Sequence, residues 1–190
     1  MIILASGSRY RRELLDRLGL DYRCWSPEID EHPFSGETPR ETAVRLAREK
    51  ARAGAIHWPD AVIIGCDQVA DLDGEPIGKP GDRASARDQL ARLSGREVVF
   101  HTALCVVHGP SARLQECVVP TTVEFRALHP DEIERYLDRE PAFDCAGSAK
   151  SEGLGVSLMA RMSGDDPTAL IGLPLIALCG MLRTEGCALP

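Results

Sequence analysis

Ala61-Val62-Ile63-Ile64-Gly65-Cys66-Asp67-Gln68 is the stretch that decides how this chain is read. Its first four residues are apolar without alternation, which predicts a short strand buried on both faces. Asp67 follows after only Gly65 and Cys66, so it is expected near the carboxyl end of that strand, where α/β folds gather ligands. A carboxylate on a stiff element can hold a divalent ion against phosphate oxygens, and it can take a proton from water. The plainer alternative is that Asp67 caps a turn.

Upstream, Met1 to Ala5 predicts a strand, Ser6-Gly7-Ser8 a small-residue turn, and Arg9 to Leu18 a helix. Leu14, Leu15 and Leu18 form the apolar stripe of that helix and Gly19 ends it. A second strand is expected over Tyr22 to Ser26, followed by a polar loop with Glu28, Asp30 and Glu31. Thr38-Pro39-Arg40-Glu41 is the clearest helix start, with a capping threonine, a first-turn proline and a glutamate three residues after the cap. Ala43, Leu46, Ala47 and Ala51 then mark an inward face as far as about Gly54.

Downstream, Asp73-Gly74 predicts a hairpin turn, and Asp82 to Leu93 a helix closed by Gly95. Two β-rich segments follow, Glu97 to Val107 and Leu114 to Phe125, then a short helix over Pro130 to Leu137. Cys145 to Gly155 is glycine-rich and irregular. A strand is expected around Val156 to Met159, and an apolar helix from about Leu173. Strands and helices alternate early and strands dominate the middle, which predicts an α/β fold with a mixed sheet flanked by helices. No repeat or linker divides residues 1–190, a length that suits one domain or two tightly joined lobes.

Composition narrows the function classes. A net charge of −7 argues against a nucleic-acid polymer as partner, which needs a basic face, but leaves a small anionic ligand open. The longest apolar stretch, Leu170 to Leu182, contains Gly172, Pro174 and Gly180 and is too short for a bilayer. With no charged leader ahead of an apolar region, a cytoplasmic location is expected. The seven cysteines form no Cys-x-x-Cys pair and are expected to be reduced thiols, with Cys66, Cys105 and Cys179 as small core residues. His32, His57, His108 and His129 lie in turn-like stretches and are expected at the surface.

Three features carry possible chemistry. Ser8 and its neighbours place free amides at a helix start that suits a phosphate, and Arg9, Arg11 and Arg12 there oppose the helix dipole unless a polyanion binds. The alternative is a solvated basic turn; a Walker loop is excluded because Gly-Lys-Ser/Thr is absent. Lys50 falls on the inward side of its helix, where it must snorkel out or meet an anion. Lys79, in Gly78-Lys79-Pro80, is held in a rigid turn that can aim its ammonium at a site. One motif misleads: Asp71-Leu72-Asp73-Gly74-Glu75 and Gly164-Asp165-Asp166 look like the acidic motifs of haloacid-dehalogenase-type phosphatases. Neither has the apolar strand those motifs require immediately before them, so they are expected to be a hairpin turn and a loop.

Taken in order, several segments resemble the Maf family of nucleotide pyrophosphatases over nearly the whole chain. They are Leu4-Ala5-Ser6-Gly7-Ser8 with Arg11-Arg12-Glu13-Leu14-Leu15, Glu28-Ile29-Asp30-Glu31, Glu49-Lys50-Ala51, Gly65-Cys66-Asp67-Gln68 and Gly78-Lys79-Pro80. Cys145-Ala146-Gly147-Ser148, Lys150-Ser151-Glu152-Gly153 and Ile171-Gly172-Leu173-Pro174 complete the series. The resemblance implies a two-lobed α/β fold with its site in the cleft between the lobes. It implies hydrolysis of a nucleoside triphosphate between the α and β phosphates with a divalent metal, magnesium or manganese, as cofactor. By the same resemblance Asp67 is the general base and a metal ligand with Glu31, while Ser8, Arg11, Arg12, Lys50 and Lys79 serve the phosphates.

The family has a branch acting on dTTP and UTP and another acting on 7-methyl-GTP. Tyr10, Gln68 and Glu152 resemble the second, where the first has an arginine, a threonine and a glutamine. Methylation makes guanine cationic, so the face of Tyr10 would attract it, and Glu152 could accept from its edge. Arg9 departs from the proline usual in the family, and Tyr10 stands where a related enzyme carries tryptophan. A homodimer and a non-catalytic nucleotide-binding role in cell division are the further readings that the resemblance allows.

Overall fold

Strand β1 (Ile2–Leu4) shows how the sheet is covered, because its side chains alternate between two apolar clusters. Ile2 and Leu4 join Leu14, Leu15, Leu178 and Leu182 on one face, while Ile3 and Ala5 join Ala43, Ala47 and Ala51 on the other. This is the period-2 consequence of a strand buried on both sides. The computed structural model describes residues 1–190.

The chain continues through α1 (Arg9–Asp16), β2 (Tyr22–Cys24) and α2 (Pro39–His57) into β3 (Val62–Leu72). Then come β4 (Glu75–Ile77), α3 (Arg83–Leu93), β5 (Glu97–His108), β6 (Arg113–Phe125), α4 (Pro130–Arg139), β7 (Met159–Gly164) and α5 (Leu175–Thr184). All seven strands form one mixed sheet in the order β2-β1-β3-β5-β6-β7, with β4 paired to β3. β2, β1 and β3 are parallel and the remaining pairs antiparallel. β2 and β3 are both parallel to β1 and lie on opposite sides of it, so the strand order reverses at β1. Such a switch point leaves a crevice at the carboxyl ends of the parallel strands.

The two lobes follow from the cores. The two clusters around β1 cover the first half of the sheet. A third, containing Leu72, Leu90, Phe100, Phe125, Ile133 and Leu137, covers the far ends of β3 and β5 beneath α3 and α4. β3 and β5 pass through both lobes. No helix is long and apolar enough to cross a membrane, and all seven cysteines are free.

Several boundaries differ from the sequence expectation. β3 runs on to Leu72 rather than stopping at Ile64, because its antiparallel pairing with β5 continues from Val62 to Asp71. Asp67 is therefore in the middle of a strand, although it lies just past the point where the parallel partner β1 stops. The last strand is Met159–Gly164, whereas Leu154–Leu158 is a 3-10 turn; most of this edge strand is exposed and shows no apolar pattern. The apolar helix begins at Leu175. Cys66 and Cys105 are buried as expected, but Cys179 is only partly so, and His108 is half-buried rather than at the surface.

Candidate active site

The cleft originates in an interrupted sheet edge. β1 pairs with β3 only as far as Leu4 opposite Ile64, with one more bond from the Ala5 amide to the Ile64 carbonyl. β4 begins to pair with β3 only at Ala70 opposite Ile77. Between these points β3 has no strand neighbour on that side, and Asp67 and Gln68 sit in the gap. The cleft there has a volume of about 710 Å³ and is lined from both lobes.

Around Asp67 charges are packed together. α2 starts with the expected capping box, Thr38 and Glu41 bonding reciprocally to each other's backbone amides. Its face meets β3 at Gly65, where any Cβ would collide with the Ala47 carbonyl and the Ala51 backbone. This close approach brings Lys50, only 6 % exposed, onto the strand. Its ammonium lies 2.6 Å from Asp67 Oδ1 and 2.6 Å from Glu31 Oε1. Asp67 is itself 7 % exposed. The other oxygen, Oδ2, has no protein partner and is open to the cleft.

Burial alone would push the Glu31 carboxyl up, but the hydrogen bond and charge of Lys50, with Lys79 and Arg11, hold it below its usual range. The loop that carries Glu31 is fastened by Arg45. This residue pairs with Glu37 at 2.7 Å, donates to the His32 carbonyl at 2.9 Å and lies over the Phe34 ring at 4.0 Å.

Next to this cluster is the turn after β1. Ser8 caps α1 and its hydroxyl accepts from the Arg11 amide. Arg11 is fixed by donating to Ser6 Oγ at 3.2 Å and to the Gly172 carbonyl at 3.0 Å. Ser8, Arg11 and Lys79 all line the cleft, so a polyanion entering it would meet a helix N-terminus and two cations. Arg12 does not belong to this lining: it is exposed on the outer side of α1. One helical step separates it from Arg11, and that rotation turns it away.

Tyr10, Gln68 and Glu152 line the same cleft. Tyr10 hydroxyl donates to Asp144 at 3.0 Å and accepts from Arg9 at 2.7 Å, and the Arg9 guanidinium stands 4.7 Å from the Tyr10 ring centroid. Arg9, the departure from the usual proline, is thus engaged with both residues. Sequence reasoning missed Asp144, Arg45, Thr102 and Asp166; Asp144 and Thr102 act through partners 134 and 67 residues away, and Arg45 works across a loop with no regular spacing. Only Asp166-Pro167-Thr168 offered a local sign, an acid two residues before a threonine. Asp166 is buried and accepts from the Thr168 and Ile176 amides, which fastens the loop leading into α5.

The misleading acidic motif is structural, as expected. Asp71 accepts from the Gly74 amide across the β3–β4 hairpin and faces His101 Nε2 at 3.1 Å. Neither Asp71 nor Asp165 lines the cleft.

The chain belongs to the Maf-like protein family, whose sequence model matches residues 1–185. Among its relatives is a 7-methyl-GTP pyrophosphatase of Aromatoleum aromaticum, 56 % identical over 189 residues that cover 100 % of this chain and 97 % of that one. Proteins with the same name from Xanthomonas oryzae pv. oryzae and Methylobacillus flagellatus are 57 % and 56 % identical. These matches cover 100 % and 97 % of this chain, and 98 % and 96 % of theirs.

Proposed function

We propose that this protein is a nucleoside triphosphate pyrophosphatase that cleaves 7-methyl-GTP between its α and β phosphates, releasing 7-methyl-GMP and pyrophosphate. The observation that carries this reading is the Asp67–Lys50–Glu31 cluster at the open edge of β3, beside the N-terminus of α1. The names of full-length relatives above half identity support the choice of base.

Asp67 and Glu31 would hold a divalent cation, magnesium or manganese. They already share one cation, the Lys50 ammonium, and no third carboxylate, histidine or cysteine stands with them. Two carboxylates completed by water and substrate phosphates is a donor set that suits magnesium. When bound, the metal would neutralise phosphate charge and polarise the phosphoanhydride.

In this reading Oδ2 of Asp67 takes the proton from an attacking water, while Lys50 holds Oδ1 and so orients the carboxylate. Arg11 receives the phosphates in a fixed direction, Lys79 adds a second cation, and the Ser8 turn offers its amides. Arg12 has no part at the cleft. Tyr10 presents its ring to the cationic base, with Gln68 and Glu152 at the base edge.

The test is a panel of canonical and methylated triphosphates with purified protein and magnesium, with products separated. Pyrophosphate and 7-methyl-GMP as principal products support the proposal. Preference for dTTP or UTP would overturn the choice of base, and tight nucleotide binding without turnover would favour a regulatory role.

A further inference from the structure

Two apolar clusters occupy the same face of β3 and β5. One contains Cys66 and Leu104, the other Ala70 and Phe100. Between them stands one polar cross-strand pair, Gln68 opposite Thr102. The loop before α5 packs onto this pair and supplies two carbonyls. Gln68 Nε2 donates to Ala169 O at 2.9 Å and to Leu170 O at 3.0 Å, and lies 2.9 Å from Thr102 Oγ1. Thr102, completely buried, donates its own proton to Ala169 O at 2.9 Å. Its hydroxyl can therefore only accept from Gln68, whose two amide protons are shared among these three oxygens.

This pattern fixes which way the amide of Gln68 faces. Turned over, its oxygen would oppose two carbonyls and a hydroxyl whose proton is already engaged. Oε1 has no protein partner yet is solvent-accessible, and Gln68 lines the cleft. The cleft therefore meets an oxygen and not an NH2. Glu152, on the same wall system, is a second group that only accepts when ionised.

We infer that Thr102 is a positioning residue for base recognition: it locks Gln68 as an acceptor, so that Gln68 and Glu152 together select a base edge with two adjacent donors. This rests on the proposed nucleotide pyrophosphatase reading. Among the common bases, guanine alone offers adjacent N1–H and N2–H2 donors. Adenine and cytosine each place a ring acceptor beside their amino group, and uracil and thymine set one N–H between two carbonyls. The device thus reads the edge of guanine remote from its methylated nitrogen, while Tyr10 addresses the positive charge.

The experiment compares 7-methyl-GTP with 7-methyl-ITP, which lacks the 2-amino group, for wild type, Thr102→Val and Thr102→Ser. Thr102→Val should lower the preference for the guanine substrate about tenfold, chiefly through KM, and Thr102→Ser should restore it. An unchanged ratio in Thr102→Val, or equal losses in both variants, would overturn the inference.

A second readout uses the wild type alone and needs no turnover. In NMR spectra the Gln68 side-chain NH2 protons should exchange slowly and keep their shifts when 7-methyl-GMP is added. Fast exchange, or a large shift on addition, would show that the nitrogen faces the cleft and would equally overturn it. If the wild type hydrolyses no guanine nucleotide but these protons are protected, the failure lies in the proposed activity and not in the orientation of Gln68.

Discussion

The two sides of the cleft, on the two faces of β3, are built from neighbouring residues of one strand but by opposite means. Asp67 faces α2 and is held in a nearly dry ion pair with Lys50, supported by Glu31. Gln68, next in the chain, faces the opposite side of the sheet and is held by neutral hydrogen bonds to a loop and a threonine. Side chains alternate across a strand, so a free stretch of edge gives access to both faces at once. The acidic side depends on charge that is expensive to unbalance, whereas Glu152 is exposed. Under the proposed function this contrast would separate the hydrolytic step from the choice of base, and mutations should keep them apart.

The largest effect is expected at Asp67. Asp67→Asn should lower kcat about a thousandfold for every nucleotide, leaving the ratio between 7-methyl-GTP and GTP unchanged in steady-state assays. A changed ratio with intact turnover would erase the division between the sides.

Lys50→Met comes next. It leaves two carboxylates without their shared cation and should cost about 3 kcal/mol of stability near neutral pH. The sign of the pH dependence should also reverse. In the wild type the depressed Glu31 carboxyl contributes stability that is present above its unfolded value and lost as pH falls through the folded one. Without Lys50 the burial that raises the Glu31 carboxyl would prevail, so the variant should become more stable on acidification. Urea denaturation at falling pH would check it.

On the base-selecting side, Glu152→Gln keeps an acceptor but removes the negative charge. The preference for 7-methyl-GTP over GTP should fall about tenfold, with kcat for GTP close to that of the wild type. A drop in kcat for both substrates would instead place Glu152 at the chemical step.

The smallest effect is expected beneath the acidic side, in the loop that carries Glu31. The Arg45 hydrogen bond, with the Phe34 amide and Thr42 hydroxyl, lowers the Glu37 carboxyl from 4.5 to about 2. Its contribution is therefore complete above 4.5 and lost as pH falls towards 2. Glu37→Gln should be less stable by about 1.5 kcal/mol at neutral pH, and the difference should close on acidification. Thermal melts at several pH values would show whether the gap narrows as required.

Much of this arrangement was legible in the sequence where the cause is local. The capping box at Thr38 and Glu41, the Asp73-Gly74 hairpin and the inward face of α2 are all short-range patterns, and all are present. Lys50 was readable because helical spacing placed a cation on an apolar face. The full length of β3 was not readable. Asp67 and Gln68 interrupt its apolar run because they serve the cleft, while the pairing with β5 that extends the strand is non-local. Arg11 and Arg12 are indistinguishable as adjacent basic residues, and only the helix rotation separates them. Thr102 and Asp144 carried no sign because their partners lie 34 and 134 residues away.

Under the proposed function one cleft both cleaves the α–β bond beside Asp67 and selects 7-methylguanine through Tyr10, Gln68 and Glu152. The most direct measurement is the product spectrum and kcat/KM of the purified protein with magnesium across 7-methyl-GTP, GTP, dTTP and UTP. Pyrophosphate with the nucleoside monophosphate is the expected product pair, and 7-methyl-GTP the preferred substrate. Orthophosphate as the released product, or a pyrimidine triphosphate as the preferred substrate, would contradict this reading.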